Sequence, residues 1–428
     1  MTPDSRAQAL RMVGALLPGL IGSDAVWRIY DRGLRTPMNF VLDEADRQLG
    51  QESTIVWVDG GFPEVFTLTG LPVVNAVYST RYVELSAFVR TLLVQSGLGQ
   101  SRKELAERAA LKVMAELLLR SRQSDLACRC FLRSIVDKTW LLNDYDVLAD
   151  LEVAKINESY MAIWFFGLVH ELGHNHAMSG DSAGFLTDDR IEQELRYILA
   201  KALPAIQAPL TAEEALIEVR NDPGHPLSAG NLRGEIFADM FSAQVLMQST
   251  IDILTEIGGE RFNPAVFIAE MATYVNVLSF LERCKMTTVA VTSTSARQKP
   301  LRLLLQPAGY AVRTVFLRWY VGNALEQFYR GDAPPEPERT KRWGKMVMDV
   351  SSSFGDQIDD LEFGLARAME FAFSQTEAND DLFRRVTEQL TGNTAALLAG
   401  EVRNFCALAR SVGVSNDQLD ALADLTSS

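Results

Sequence analysis

The chain has 428 residues, of which 47% are apolar and 22% charged, and its net charge is −14. The length exceeds one core of ordinary size and predicts two or three domains, or one domain with a large helical extension. The composition is that of a folded soluble protein, and the acidic balance excludes nucleic-acid binding through a basic face.

In chain order, residues 1–50 read as an N-terminal helical segment, amphipathic, with a Pro/Gly break at 18–22. A proline interrupts "RMVGALLPGLIG", so no signal peptide is read there. The texture then changes. The stretch "STIVWVDGGFPEVFTLTGLPVVNAVYSTRYVELSAF" is rich in Val, Ile, Thr, Tyr and Phe and broken by turn formers, which predicts a small sheet over 51–90. Helical patterning runs from Ser86 to Leu142. Cys128, Cys130, Cys284 and Cys406 are scattered without CxxC spacing and read as reduced thiols.

A long helix is predicted over about 151–177, followed by helices at 188–204 and 211–221. The loop "NDPGHPLSAGN" precedes a further helix at about 232–250. Amphipathic helices fill 256–428, divided at 287–300 and again at 330–341. The apolar run "MAIWFFGLV" is about half the length of a bilayer crossing. No stable membrane insertion is expected, and the location is read as cytoplasmic.

The long helix carries "FFGLVHELGHNHAMSGD", with three of the four histidines of the chain. His170 and His174 are four apart, which places both rings on one helix face. Glu171 lies about 100° round the helix, beside the pair. This is the H-E-x-x-H arrangement, in which two imidazoles bind zinc and the glutamate takes a proton from activated water. Chance supplies roughly 0.003 such matches in a chain of this composition. The flanking residues are apolar nearly all round, so the helix is buried, and buried imidazoles need partners.

Catalytic zinc takes a third protein ligand and keeps one position open. Four residues are candidates. His176 points nearly opposite to His174 on a continuing helix. Asp181 follows the helix closely, and His225 sits in the Pro/Gly-rich loop. Glu235 is the choice: it opens "GEIFADMFSA", and Ala238, Ser242 and Ala243 keep that helix slim enough for close packing. Asp239, one turn on, is placed to accept the free N–H of a ligating histidine. A neutral donor to a developing oxyanion is sought in His225 first and Tyr197 second.

"HELGH" followed by "E-x-x-A-D" resembles the gluzincin metallopeptidases. The resemblance implies an α+β, mostly helical fold: a zincin-like catalytic core at 51–255 with a small sheet, and a helical C-terminal extension at 256–428. It implies one Zn2+ on His170, His174 and Glu235, Glu171 as general base, and Asp239 in the second coordination shell. "GLPVVNAVYSTRYVELSAF" is similar to the edge strand and helix of the prenyl-protease-like branch, where the strand binds extended substrate. The chain departs from that branch in lacking its His-Pro-Pro: the comparable place has Pro300 and Arg302.

The expected activity is hydrolysis of peptide bonds in a protein or peptide substrate, as an endopeptidase of restricted specificity. The helical region at 256–428 offers a surface for a regulatory partner. Two alternatives stand beside it: an inactive zinc-stapled scaffold or binding module, and a zinc hydrolase of a non-peptide bond.

Overall fold

A computed structural model describes residues 25–33, 36–59, 65–67, 75–94, 102–137, 155–177, 186–205, 210–222, 224–258, 261–292, 301–331, 355–374, 379–392 and 395–427, with a few isolated positions elsewhere. The protein is mostly helical with one small mixed sheet, in strand order β1-β2-β4-β3. The strands are β1 (Val26–Ile29), β2 (Ile55–Asp59), β3 (Val65–Phe66) and β4 (Ala76–Ser79). β2 and β4 pair in parallel, while β1 and β3 pair antiparallel on either side.

Three expectations change here. In the segment read as helical, α1 (Pro37–Leu49) is a helix, yet Val26–Ile29 forms a strand against β2. The break predicted at 18–22 lies outside the described residues. The helical run begins at Thr80 rather than Ser86: α2 spans Thr80–Val94. Its β-branched and aromatic residues are helical because burial decides, with Tyr82, Val83, Leu85, Phe88 and Val89 all inside. Finally, the "NAVYS" strand is not an edge. β4 is paired on both sides, and among the described strands the edges are β1 and β3, the latter folding back so that Val65 faces Tyr78 and Phe66 faces Val77.

The sheet has two packed faces. Val56, Val58 and Val77 form a small cluster with Trp27 and Phe66. Ile55, Ala76 and Tyr78 point into the main core, where the Tyr78 hydroxyl donates to the Trp164 carbonyl. That core extends through α3 (Arg102–Arg120), α4 (Ser124–Ile135) and the motif helix α5 (Glu158–Ala177). It continues through α8 (Ala229–Glu256), α9 (Pro264–Thr292) and the C-terminal helices to Ala423. A second cluster joins α6 (Asp188–Ala205), α7 (Ala212–Asn221) and the start of α8 to α10 (Leu301–Arg330).

α5 begins at Glu158, later than the pattern predicts, because the Asn157 side chain caps it by accepting the Tyr160 N–H at 2.9 Å. Among the described residues α9 alone is long and apolar enough to cross a membrane, and 67% of its most apolar window is buried within the protein.

Candidate metal centre

The centre forms where α5 and α8 cross. Gly173 and Ala238 meet at that crossing: a Cβ on Gly173 would lie 2.9 Å from the Ala238 Cα. The missing side chain lets the helices approach until residues one turn away on each converge. On α8 the turn 224–228 sets the start. The Ser228 hydroxyl accepts the Asn231 N–H, and the Asn231 amide donates to the His225 carbonyl at 2.9 Å.

His170 Nε2 and His174 Nε2 lie 3.2 Å apart. Glu235 places Oε2 3.3 Å from the first and Oε1 3.4 Å from the second. Bonds of about 2.0–2.1 Å at a tetrahedral ion set neighbouring donor atoms roughly 3.3 Å apart. The separation of the two imidazole nitrogens matches that edge, and Glu235 turns one oxygen to each of them at a similar spacing. The His-His-Glu group can therefore hold a metal ion.

The surrounding residues orient these donors. His170 Nδ1 lies 2.9 Å from Asp239 Oδ1, which sets a carboxylate beside that nitrogen while Nε2 faces Glu235. Arg313, on α10, donates from Nε and Nη2 to the two Asp239 oxygens, both at 2.8 Å. Its Nη1 lies 2.9 Å from Glu235 Oε2. One buried guanidinium thus fixes both carboxylates. Glu171 turns to the other side, where its Oε2 accepts the Thr67 N–H at 3.1 Å, just beyond β3.

Without an ion, the groups share charge unevenly. Burial disfavours a charged His170, but its bonds to Asp239 and Glu235 outweigh this and push it up to about 9. Burial, then the His170 charge, bring His174 down to about 4. Burial would also raise Glu235, yet Arg313 and His170 hold it well below the usual carboxylate range. Among the described residues no guanidinium is bonded to Glu171. Burial raises it, His170 opposes, Glu235 adds, and it reaches about 7.

A cleft of about 650 Å³ opens over the centre, lined by His170, Glu171, His174, Glu235 and Arg313, with β3 on one rim. Of the other sequence candidates, Asp181 and Pro300 lie outside the described residues. His176 is in the last turn of α5. His225 is buried, and its Nδ1 accepts the Leu227 N–H at 3.1 Å, while its neighbours Gly224, Pro226 and Leu227 line the cleft. Tyr197 is exposed and its hydroxyl meets Lys201. The tyrosines that line the cleft are instead Tyr82 and Tyr310, the ring of Tyr310 lying 4.7 Å from the Arg313 guanidinium.

Arg313 is the residue that sequence reading missed. Arg302, at the place comparable to the family pattern, lies three turns earlier on the same helix. The available signal was a lone arginine within the apolar run "YAVRTVFL". No protein-family model matches the chain, and no curated protein or solved structure is significantly similar to it.

Proposed function

We propose that the protein is a zinc-dependent metallopeptidase of gluzincin type, an endopeptidase of restricted specificity related to a soluble form of the prenyl-protease-like branch. The observation that carries this reading is the convergence of His170, His174 and Glu235 with Glu171 beside them, uncommitted to the ion. Three ligands of this kind leave an open position, the pattern of catalytic rather than structural zinc.

When bound, zinc supplies Lewis acidity that acidifies water and polarises a carbonyl. His170, His174 and Glu235 hold it, with Asp239 and Arg313 setting their orientation. Glu171 removes the proton from the attacking water and delivers it to the leaving nitrogen. The Thr67 N–H keeps Oε2 of that carboxylate in place, leaving Oε1 to take the proton. Among the described strands β3 ends the sheet on the rim of the cleft, where an extended chain can add as a further strand, which favours a peptide over other substrates.

The test has two parts. Metal content is measured by mass spectrometry for wild type, His174→Ala and Glu235→Ala; one zinc per wild-type chain is expected, with loss in both variants. Peptide hydrolysis is then compared with Glu171→Gln, which is expected to keep the metal and lose turnover. Zinc retained in Glu235→Ala would move the third ligand elsewhere. Zinc without any Glu171-dependent hydrolysis would leave the scaffold reading.

A further inference from the structure

Tyr82 lines the cleft together with Gly167 and Glu171. It sits in the first turn of α2, with its ring edge pressed onto α5: a Cβ on Gly167 would lie 2.7 Å from Cε1 and 2.9 Å from the hydroxyl oxygen. Gly167 precedes Glu171 by four residues, so the two share one face of α5, about 6 Å apart along its axis. Helical side chains lean towards the N-terminus, which carries the Glu171 carboxylate back over the turn that Gly167 leaves bare. The Tyr82 hydroxyl and the carboxylate are therefore neighbours. Burial raises the tyrosine pKa, Ser86 opposes, and the charge of Glu171 raises it further, so the hydroxyl keeps its proton and stays a donor.

The fold makes no use of that donor. Among the described residues the hydroxyl completes no hydrogen bond, and it is not one of the unbonded polar atoms closed to solvent, so it opens into the cleft. Ser86, one turn on, lies near enough to lower its pKa, yet the Ser86 Oγ is itself unbonded and closed off. A phenylalanine would fill the same space against Gly167. What the hydroxyl adds is a donor beside a carboxylate, and a peptide offers the matching pair. In the proposed hydrolysis Glu171 delivers its proton to the leaving nitrogen. The carbonyl oxygen of that same residue lies about 3–4 Å from the nitrogen, within hydrogen-bond reach of a group beside Glu171.

We infer that Tyr82 is a substrate-binding residue whose hydroxyl donates a hydrogen bond to the backbone carbonyl of the residue that leaves with the new amino terminus. This role rests on the peptidase reading and adds a direction to it: the leaving side of the substrate runs over Gly167 towards α2, where Leu85, one turn beyond Tyr82, lines the same cleft.

Paired substrates test it. Zinc-loaded wild type is offered a randomised library of amidated peptides, and one cleaved member is remade with an E-alkene in place of the peptide bond that follows the leaving residue. The alkene keeps the length and planarity of the chain and removes the carbonyl. Tyr82→Phe is expected to lower kcat/KM on the peptide by about 3- to 10-fold, and this effect should vanish on the alkene form, which has no oxygen to bind. Equal slowing of both forms would make Tyr82 a support for Glu171 or for the attacking water, and would overturn the assignment. No slowing of either would overturn it too. So would a lower melting temperature or lost zinc in Tyr82→Phe, since the hydroxyl would then serve the fold. If zinc-loaded wild type cleaves no library member, the peptidase reading falls and takes this role with it; cleavage that ignores the carbonyl removes the role alone.

Discussion

At Glu171, burial and chemistry place opposite demands on one carboxylate. Burial moves its pKa from 4.5 to about 7. Between those values the folded, metal-free protein binds a proton that the unfolded chain does not, so stability falls as pH rises through this window. Above about 7 the cost is complete. Glu171→Gln is therefore expected to stabilise the metal-free protein at pH 8 by up to about 3 kcal/mol, while lowering kcat/KM by about 100- to 10,000-fold in the zinc form. Urea denaturation at pH 5 and pH 8 reads the first effect, with the difference from wild type shrinking at pH 5. Equal stabilities at both pH values would show that the carboxylate is better solvated than its surroundings imply. The same opposition explains Arg313. The buried Asp239 and the half-buried Glu235, one turn apart, repel each other, and a guanidinium that bonds to both makes the pair tolerable.

At the scale of elements, the centre depends on how closely α5 and α8 cross. Gly173→Ala would ordinarily favour the helix by about 1 kcal/mol. Here the new methyl meets the Ala238 backbone at 2.9 Å, and backbone cannot turn aside as a flexible side chain can. Overpacking therefore wins, and the expected net change is a loss of about 1–3 kcal/mol. The ligand triangle should open at the same time, weakening zinc binding by at least about tenfold. Chelator competition measures the second effect and thermal melting the first. Unchanged zinc affinity in a destabilised variant would mean that the crossing relaxes without moving the ligands. α2 approaches α5 by the same device, since a Cβ on Gly167 would lie 2.7 Å from the Tyr82 ring.

Across the whole molecule, the C-terminal helices belong to the core that holds the centre. Phe131 of α4 stacks on Phe405 at 3.9 Å. Lys112 of α3 reaches Glu401 at 2.9 Å, both side chains nearly inaccessible. The helix after Leu301 supplies Arg313 to the site. Breaking a buried pair on one side leaves a charge without a partner, whereas replacing both with apolar groups can be neutral. Glu401→Leu alone is expected to cost about 3–5 kcal/mol, and Lys112→Met/Glu401→Leu to recover most of it. Chemical denaturation of the two single variants and the double variant gives the coupling directly. Additive losses would show that the pair is more hydrated than its burial indicates.

The local pattern of the sequence determined the motif helix, the register of His170, Glu171 and His174 on it, and the helix that carries Glu235 and Asp239. These are short-range properties, set by helical periodicity and by spacing within a few turns. Tertiary structure alone decided the rest. Val26–Ile29 became a strand because β2 was there to pair with it. β3, only two residues long, took an edge position by folding back on β4. Arg313 joined Asp239 across 74 residues of chain, a distance over which no local periodicity operates. Tyr82 reads as one more aromatic in a β-rich stretch until the cleft it lines is known. Contacts of that range follow from which faces bury together, and a single sequence records those faces without recording their partners.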